Sequence, residues 1–331
     1  MRIGIFDLSD DEKKIMGVLL KDKGIDASIH STSYDEGDYE TIVVFVDSKI
    51  TKEKIAKSKH LKNIITMSTG FDHIDLKACK KRKIKVYNVP DYGTDTVAEF
   101  TLLLMLASLR KLGVILSETK ESTQIDYKKI RGKDLSKKTV GVVGTGRIGS
   151  RVAEICLSMG CKVIANSRKK RSDLLKKGVE YVDFQTLLSE ADIITLHTAL
   201  VKATKHMINQ KNISRVKEGA LIINTSRGPL IETKALISRA DVLYAGLDVV
   251  EGEALLKREL DLVWKNPSEG EVRSRLETDL LMKNKNILIT PHVAYDTEEA
   301  IYRILKSTVD KLELLIKGEK PKDLVAGEKN V

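Results

Sequence analysis

TVGVVGTGRIGSRVAEICLSMGCKVIAN, Thr139 to Asn166, is the stretch on which the fold turns. A run of mostly β-branched residues, Thr139 to Val143, leads into Gly144, Gly146 and Gly149 at GxGxxG spacing. An amphipathic segment from Ile148 to Met159 follows and stops at Gly160, and a second β-branched run closes the unit. Strand, glycine turn, helix and strand in that order form the βαβ unit that binds a dinucleotide. The three glycines differ in physical role. Gly144 makes the tight turn, Gly146 lets backbone approach a pyrophosphate, and Gly149 lets helix and strand pack closely. The helix N-terminus then presents its unpaired N–H groups to the phosphates.

Outward from this unit the same alternation continues. RIGIF, TIVVFV, NIITM and IKVYNV read as strands of one α/β unit. TVGVV, CKVIAN, ADIITLH, ALIINT, VLYAGLD and NILIT read as strands of a second. The fold class is therefore α/β, with two doubly wound parallel-sheet domains. Between them TVAEFTLLLMLASLRK reads as a long helix, with Thr96 and Glu99 at capping-box spacing. A second amphipathic helix, about Thr297 to Ile316, is expected to return to the first domain, followed by a polar tail containing Gly318, Pro321 and Gly327.

Composition narrows the function classes. A chain of 331 residues, 42% hydrophobic and 31% charged with 5 prolines, is long enough for two cores and has no disordered tract. The net charge of +10 is spread through acidic sequence, and aromatics are only 5%, so nucleic acid is not an expected partner. A basic surface that favours anionic ligands fits better. The apolar run Phe100 to Leu109 falls well short of the roughly 20 residues a membrane span needs. The N-terminus turns acidic after six residues, so a cytoplasmic location is expected. Cys79, Cys156 and Cys161 lack metal-ligand spacing, and no metal is expected.

The ordered segments STGFDHIDLKAC, NVPDYGTDTVAEF, LSKKTVGVVGTGRIGSRVA, INTSRGPLIE, GLDVVEGE and ITPHVAYDT resemble the D-isomer-specific 2-hydroxyacid dehydrogenases, in particular their D-lactate dehydrogenase-like branch. The likeness spans roughly residues 40 to 310. It implies a discontinuous substrate domain, residues 1–100 plus 295–331, flavodoxin-like in fold. An inserted Rossmann coenzyme domain, residues 101–294, would follow, with the active site in the cleft between the two. By the same resemblance Arg227 anchors the substrate, Glu253 supports the acid/base and His292 is the acid/base. Thr69, Gly70 and Tyr92 would contact substrate. Thr96, Arg147, Ile148, His197, Thr225, Ser226, Asp248 and His292 would line the coenzyme, and a homodimer through the coenzyme domains is implied.

These roles suit the chemistry. A 2-oxo acid presents a carboxylate and a carbonyl that a planar guanidinium can hold. Delivering hydride to the carbonyl carbon requires a proton at its oxygen, which an imidazole supplies near neutral pH. A carboxylate on the far ring nitrogen favours the charged form of that imidazole.

The strand after the glycine loop ends in KVIANSRKKR, Lys162 to Arg171, with no carboxylate. Ser167 stands where an NAD-preferring member would hold an acid against the ribose hydroxyls. Arg168 and Lys169 follow, suited to a 2′-phosphate. NADP(H) is accordingly the favoured coenzyme, with NAD(H) possible.

Two departures from the family pattern bear on loop geometry: Ala199 replaces a common proline after His197, and the segment between Arg227 and Asp248 is short. The charged stretch from Ala254 to Lys285 resembles the extended loop of D-lactate dehydrogenase-like members and tilts the substrate toward pyruvate and D-lactate. A glyoxylate or hydroxypyruvate reductase would share every catalytic residue. A dinucleotide-sensing, corepressor-like binding protein would use the same fold without turnover.

Overall fold

The computed structural model describes residues 1–121, 124–253 and 269–326, and they divide into two compact units, residues 1–93 with 296 onward, and 94–295.

In the first unit the strands are β1 (Ile3–Ile5), β2 (Ser28–Ile29), β3 (Thr41–Val44), β4 (Asn63–Thr66) and β5 (Lys85–Tyr87), all parallel in the order β5-β4-β3-β1-β2. This is the flavodoxin-like winding. β3 and β4 are buried along their whole length, as strands covered on both faces must be. A further strand, Leu324–Ala326, runs antiparallel outside β5. The tail expected to be only polar therefore contributes an edge strand. Its three residues are too few to show a period, and Gly327 lies outside the described residues. The helix Glu298–Ile316, capped by Thr297 accepting from Ala300 N, packs on the helix Asp10–Asp22 of the same unit.

In the second unit β6 (Thr139–Val143), β7 (Lys162–Asn166), β8 (Glu180–Tyr181), β9 (Ile193–Leu196), β10 (Leu221–Asn224), β11 (Tyr244–Leu247) and β12 (Ile287–Ile289) form one parallel sheet. The order is β12-β11-β10-β9-β6-β7-β8. The winding reverses between β6 and β9, which places the crevice at their carboxyl ends. Successive residues feed opposite cores: Ile194 and Ile222 join one cluster, Ile193 and Ile223 the other. β2 and β8 are two-residue strands without an alternating pattern, which is why the sequence does not announce them.

The long helix runs Thr94–Leu109 and belongs wholly to the second unit, packing on β10 and β11. The expected capping box at Thr96 does not start it. Thr96, Val97 and Ala98 all turn inward, so the buried face extends upstream and Thr96 is only 7% exposed. Among the described residues no single helix is long and apolar enough to cross a bilayer. The charged stretch read as a loop contains the helix Glu269–Met282; its earlier part, 254–268, lies outside the described residues.

Candidate active site

At the carboxyl end of β6 two of the three glycines are fixed by backbone neighbours. Gly144 has φ +91°, and a Cβ there would lie 2.4 Å from the His197 carbonyl oxygen. A Cβ on Gly149 would lie 1.9 Å from the Gly144 oxygen. Around Gly146 nothing comes within 4 Å of a would-be Cβ, so no protein contact requires a glycine there. That is the position at which close approach of a pyrophosphate to the backbone requires one. Gly146 is also the N-cap of the helix Arg147–Ser158 and supplies no side-chain cap, so the first-turn N–H groups of Arg147 and Ile148 face outward for an anion.

Behind the turn, His197 N donates to Val143 O at 2.7 Å and His197 Nε2 pairs with Thr195 Oγ1 at 2.9 Å. Burial pushes the His197 imidazole down to about 3, so the ring is neutral at working pH. The turn after His197, where a proline is absent, is braced by Thr204: its hydroxyl donates to Ala199 O at 2.7 Å and accepts from Val201 N at 2.9 Å.

Arg227, Glu253 and His292 follow β10, β11 and β12, three neighbouring parallel strands in register, Asn224↔Leu247↔Ile289. Parallel pairing therefore brings the three loops to one edge of the sheet, although the residues span 65 positions in sequence (292 − 227). Arg227 is half-buried, and its Nη1 donates to Ser226 O at 2.7 Å. Asn224, fully buried, shapes that loop by donating to Arg227 O at 2.8 Å and accepting from Ser226 N at 3.0 Å. Gly228 admits the next loop, because a Cβ there would lie 2.1 Å from Val250 O.

His292 Nδ1 meets Glu253 Oε1 at 2.9 Å, with the two side chains 21% and 35% exposed. The other carboxylate oxygen of Glu253 is buried without a hydrogen-bond partner among the described residues. His292 sits at φ +59°, a left-handed conformation costly for a non-glycine residue. Asp248 holds it there. Its carboxylate, 1% exposed, accepts from Thr290 Oγ1 at 2.6 Å, Val293 N at 2.9 Å and Ala294 N at 2.9 Å, while its carbonyl accepts from His292 N at 2.8 Å. The resemblance sets Asp248 along the coenzyme; the structure shows that its carboxylate also holds the histidine loop.

Glu251 lies within the GLDVVEGE motif, but the sequence assigns it no role. It pairs with His206 Nε2 at 2.6 Å and accepts from Thr233 N and Oγ1 at 2.9 Å each, anchoring the loop that ends at Glu253. Thr225 Oγ1 pairs with Thr101 Oγ1 at 2.9 Å, and Ser226 Oγ donates to Leu196 O at 2.7 Å. Thr96 is buried in the first turn of the long helix. Ser167 is half-buried at the end of β7, and Arg168 and Lys169 are exposed beyond it.

In the first unit, Thr69 and Gly70 follow β4. Thr69 Oγ1 donates toward Val89 O at 3.3 Å, and Ser68 Oγ donates to Gly70 O at 2.6 Å. Tyr92 follows β5, and its carbonyl accepts from Arg303 Nε at 2.8 Å.

Residues 102–294 match the family model described as D-isomer specific 2-hydroxyacid dehydrogenase, NAD binding domain. The chain belongs to the D-isomer-specific 2-hydroxyacid dehydrogenases. Family membership makes it an NAD-binding oxidoreductase acting on the CH–OH group of 2-hydroxy acids. It is 36% identical over 277 residues to a hydroxypyruvate reductase of Thermotoga maritima, covering 82% of this chain and 83% of that one. It is 34% identical over 296 residues to a glyoxylate reductase of Thermococcus litoralis, covering 86% and 83%. Among solved structures, the D-lactate dehydrogenase of Aquifex aeolicus, complexed with NAD and lactic acid, superposes with a TM-score of 0.91. That match has 34% identity over 99% of this chain and 100% of that one. The glycine turn and the Arg227, Glu253 and His292 loops all lie in the second unit of the chain, residues 94–295.

Proposed function

We propose that the protein reduces a small 2-oxo acid to the D-2-hydroxy acid with NADPH, pyruvate to D-lactate being the favoured pair. The observation that carries the catalytic reading is the 2.9 Å contact between His292 Nδ1 and Glu253 Oε1, on loops held by Asp248 and Glu251. With Nδ1 bound to the carboxylate, Nε2 is the position left to exchange a proton with the carbonyl oxygen. Glu253 stabilises the imidazolium and fixes the ring. Arg227 binds the substrate carboxylate through its planar fork and polarises the carbonyl. A bound nicotinamide supplies the hydride, and the turn Gly144–Gly149 with the following helix N-terminus holds its pyrophosphate. Oxidation retraces these steps.

The NADP(H) preference rests on Ser167 in place of a carboxylate. Arg168 and Lys169 support it, both exposed and, among the described residues, without a carboxylate partner. The neighbouring Arg171 differs, being tied to Asp173 at 2.7 Å. Pyruvate is favoured by the extent of likeness to the lactate-bound D-lactate dehydrogenase structure. The relatives named hydroxypyruvate and glyoxylate reductases favour the second substrate reading. Initial rates with pyruvate, glyoxylate and hydroxypyruvate, each with NADPH and NADH, test both choices. A hundredfold preference for hydroxypyruvate overturns the first choice, and a clear NADH preference overturns the second. Failure to reduce any 2-oxo acid would leave the sensor reading.

The functional species we propose is a homodimer. Leu103, Leu112, Leu116 and Tyr127 are exposed at 51%, 42%, 53% and 74% on and after the two helices that follow residue 93. Apolar side chains grouped this way suit burial against a second copy. Light scattering giving the mass of one chain overturns it.

A further inference from the structure

A chain of hydroxyl contacts begins and ends in the basic loop after β7. Arg171 N donates to the Tyr181 hydroxyl at 3.0 Å, that hydroxyl donates to Thr145 Oγ1 at 3.0 Å, and Thr145 Oγ1 reaches Lys169 O at 3.5 Å. Each hydroxyl has one proton to give, and the direction is consistent at every link. Thr145 lies between the first two loop glycines and is 4% exposed. Tyr181 is in β8, whose register sets it beside Ala165 of β7.

We propose that Tyr181 is a positioning residue for coenzyme selectivity: its hydroxyl clips the backbone of residues 169–171 to the glycine turn and so presents Arg168 and Lys169 to a 2′-phosphate. This rests on the NADP(H) reading above. The side chains that matter are exposed and long, and ordering the loop that carries them costs affinity each time a ligand binds. A loop whose backbone is already fixed beside the basic pair avoids part of that cost. Arg171 cannot replace them, since Asp173 holds its guanidinium through two contacts, Nε at 3.0 Å and Nη2 at 2.7 Å. That pairing also holds the Asp173 carboxyl down to about 2. The sequence shows the basic residues but not the tyrosine, which lies 36 positions from Thr145.

Calorimetric titration of the full chain with 2′,5′-ADP and with ADP tests the assignment apart from turnover. The unmodified protein is expected to bind 2′,5′-ADP more tightly than ADP. Tyr181→Phe should weaken 2′,5′-ADP about fivefold, the equivalent of one net hydrogen bond, while ADP changes by less than about twofold. In steady state the loss should fall on KM for NADPH and not on kcat. Arg168→Ala should lose the selectivity too, and adding Tyr181→Phe to it should do little more, because the tyrosine acts through that loop. A thermal melt establishes that each variant is folded. If the unmodified protein does not prefer 2′,5′-ADP, the coenzyme reading fails and this inference with it. If it does, and Arg168→Ala abolishes the preference while Tyr181→Phe weakens both ligands equally or neither, only this inference is overturned.

Discussion

Gly146 and Gly149 are three residues apart in one turn, and replacing each by alanine should break different things. At Gly149 the new Cβ would lie 1.9 Å from the Gly144 carbonyl oxygen and 3.0 Å from His197 Cβ. The obstacle is backbone, so the helix Arg147–Ser158 must move off β6. Overpacking of this kind costs on the order of 1–3 kcal/mol, and a clash with a fixed carbonyl belongs at the upper end. About 3 kcal/mol corresponds to a fall in Tm of roughly 6–12 °C for a domain of this size class. At Gly146 the same methyl group meets no protein atom within 4 Å, and φ −70° suits alanine, so stability should fall by no more than about 1 kcal/mol, the Gly-to-Ala difference at an N-cap. The methyl would stand where a pyrophosphate comes against backbone, and coenzyme affinity should fall about tenfold or more, the equivalent of about 1.4 kcal/mol or above. Thermal melts and fluorescence titration with NADPH on both variants separate the two effects. The reasoning is refuted if Gly146→Ala melts as low as Gly149→Ala, or if it binds NADPH as well as the unmodified protein.

Other perturbations have equally definite outcomes. Glu253→Gln keeps the shape of the His292 contact but turns a charged hydrogen bond into a neutral one, a loss of about 1–2 kcal/mol. The rate of 2-oxo acid reduction, as kcat/KM, should drop by roughly 5- to 30-fold; an unchanged value would show that Glu253 does not support proton transfer. Asp248→Asn replaces an acceptor of three hydrogen bonds, at 1% exposure, by a group that must turn an N–H toward at least one donor. Denaturant unfolding should show a loss of about 2–4 kcal/mol, with turnover falling as the His292 loop relaxes. Because the folded pKa of His197 is depressed below its unfolded value of 6.5, the unfolded chain takes up a proton that the fold refuses as pH drops below 6.5. Its neutral burial should therefore cost up to about 2 kcal/mol of stability by pH 5, and His197→Asn should flatten that part of the stability–pH curve. An identical curve for the variant would contradict the assignment.

The ten β-branched runs from RIGIF to NILIT all contain strands, because a strand buried on both faces writes itself as a continuous apolar run. GxGxxG spacing locates the coenzyme turn because one of its constraints is local, Gly149 against the Gly144 carbonyl, while the contact of Gly144 with the His197 carbonyl joins distant segments. The strands without such a signal, Ser28–Ile29, Glu180–Tyr181 and Leu324–Ala326, are two or three residues long and owe their pairing to neighbours rather than to any period of their own. Thr96 resembles a cap in sequence because local spacing cannot say which way a helix face will turn.

The identities of Arg227, Glu253 and His292 are legible through ordered motifs, but what holds them is not. Asp248 reads as a coenzyme contact in sequence, and the structure adds a role the sequence does not show, a clamp on residues 290–294, up to 46 positions away. Asn224 and Glu251 fall within quoted motifs but no role can be read for them, and His206 falls in none, until parallel pairing of the strands brings their loops together. Local chemistry and periodicity are properties of a segment and can be read from it. The direction of a carboxylate's hydrogen bonds is decided only when distant segments pack, since it depends on which buried donors would otherwise be left without a partner.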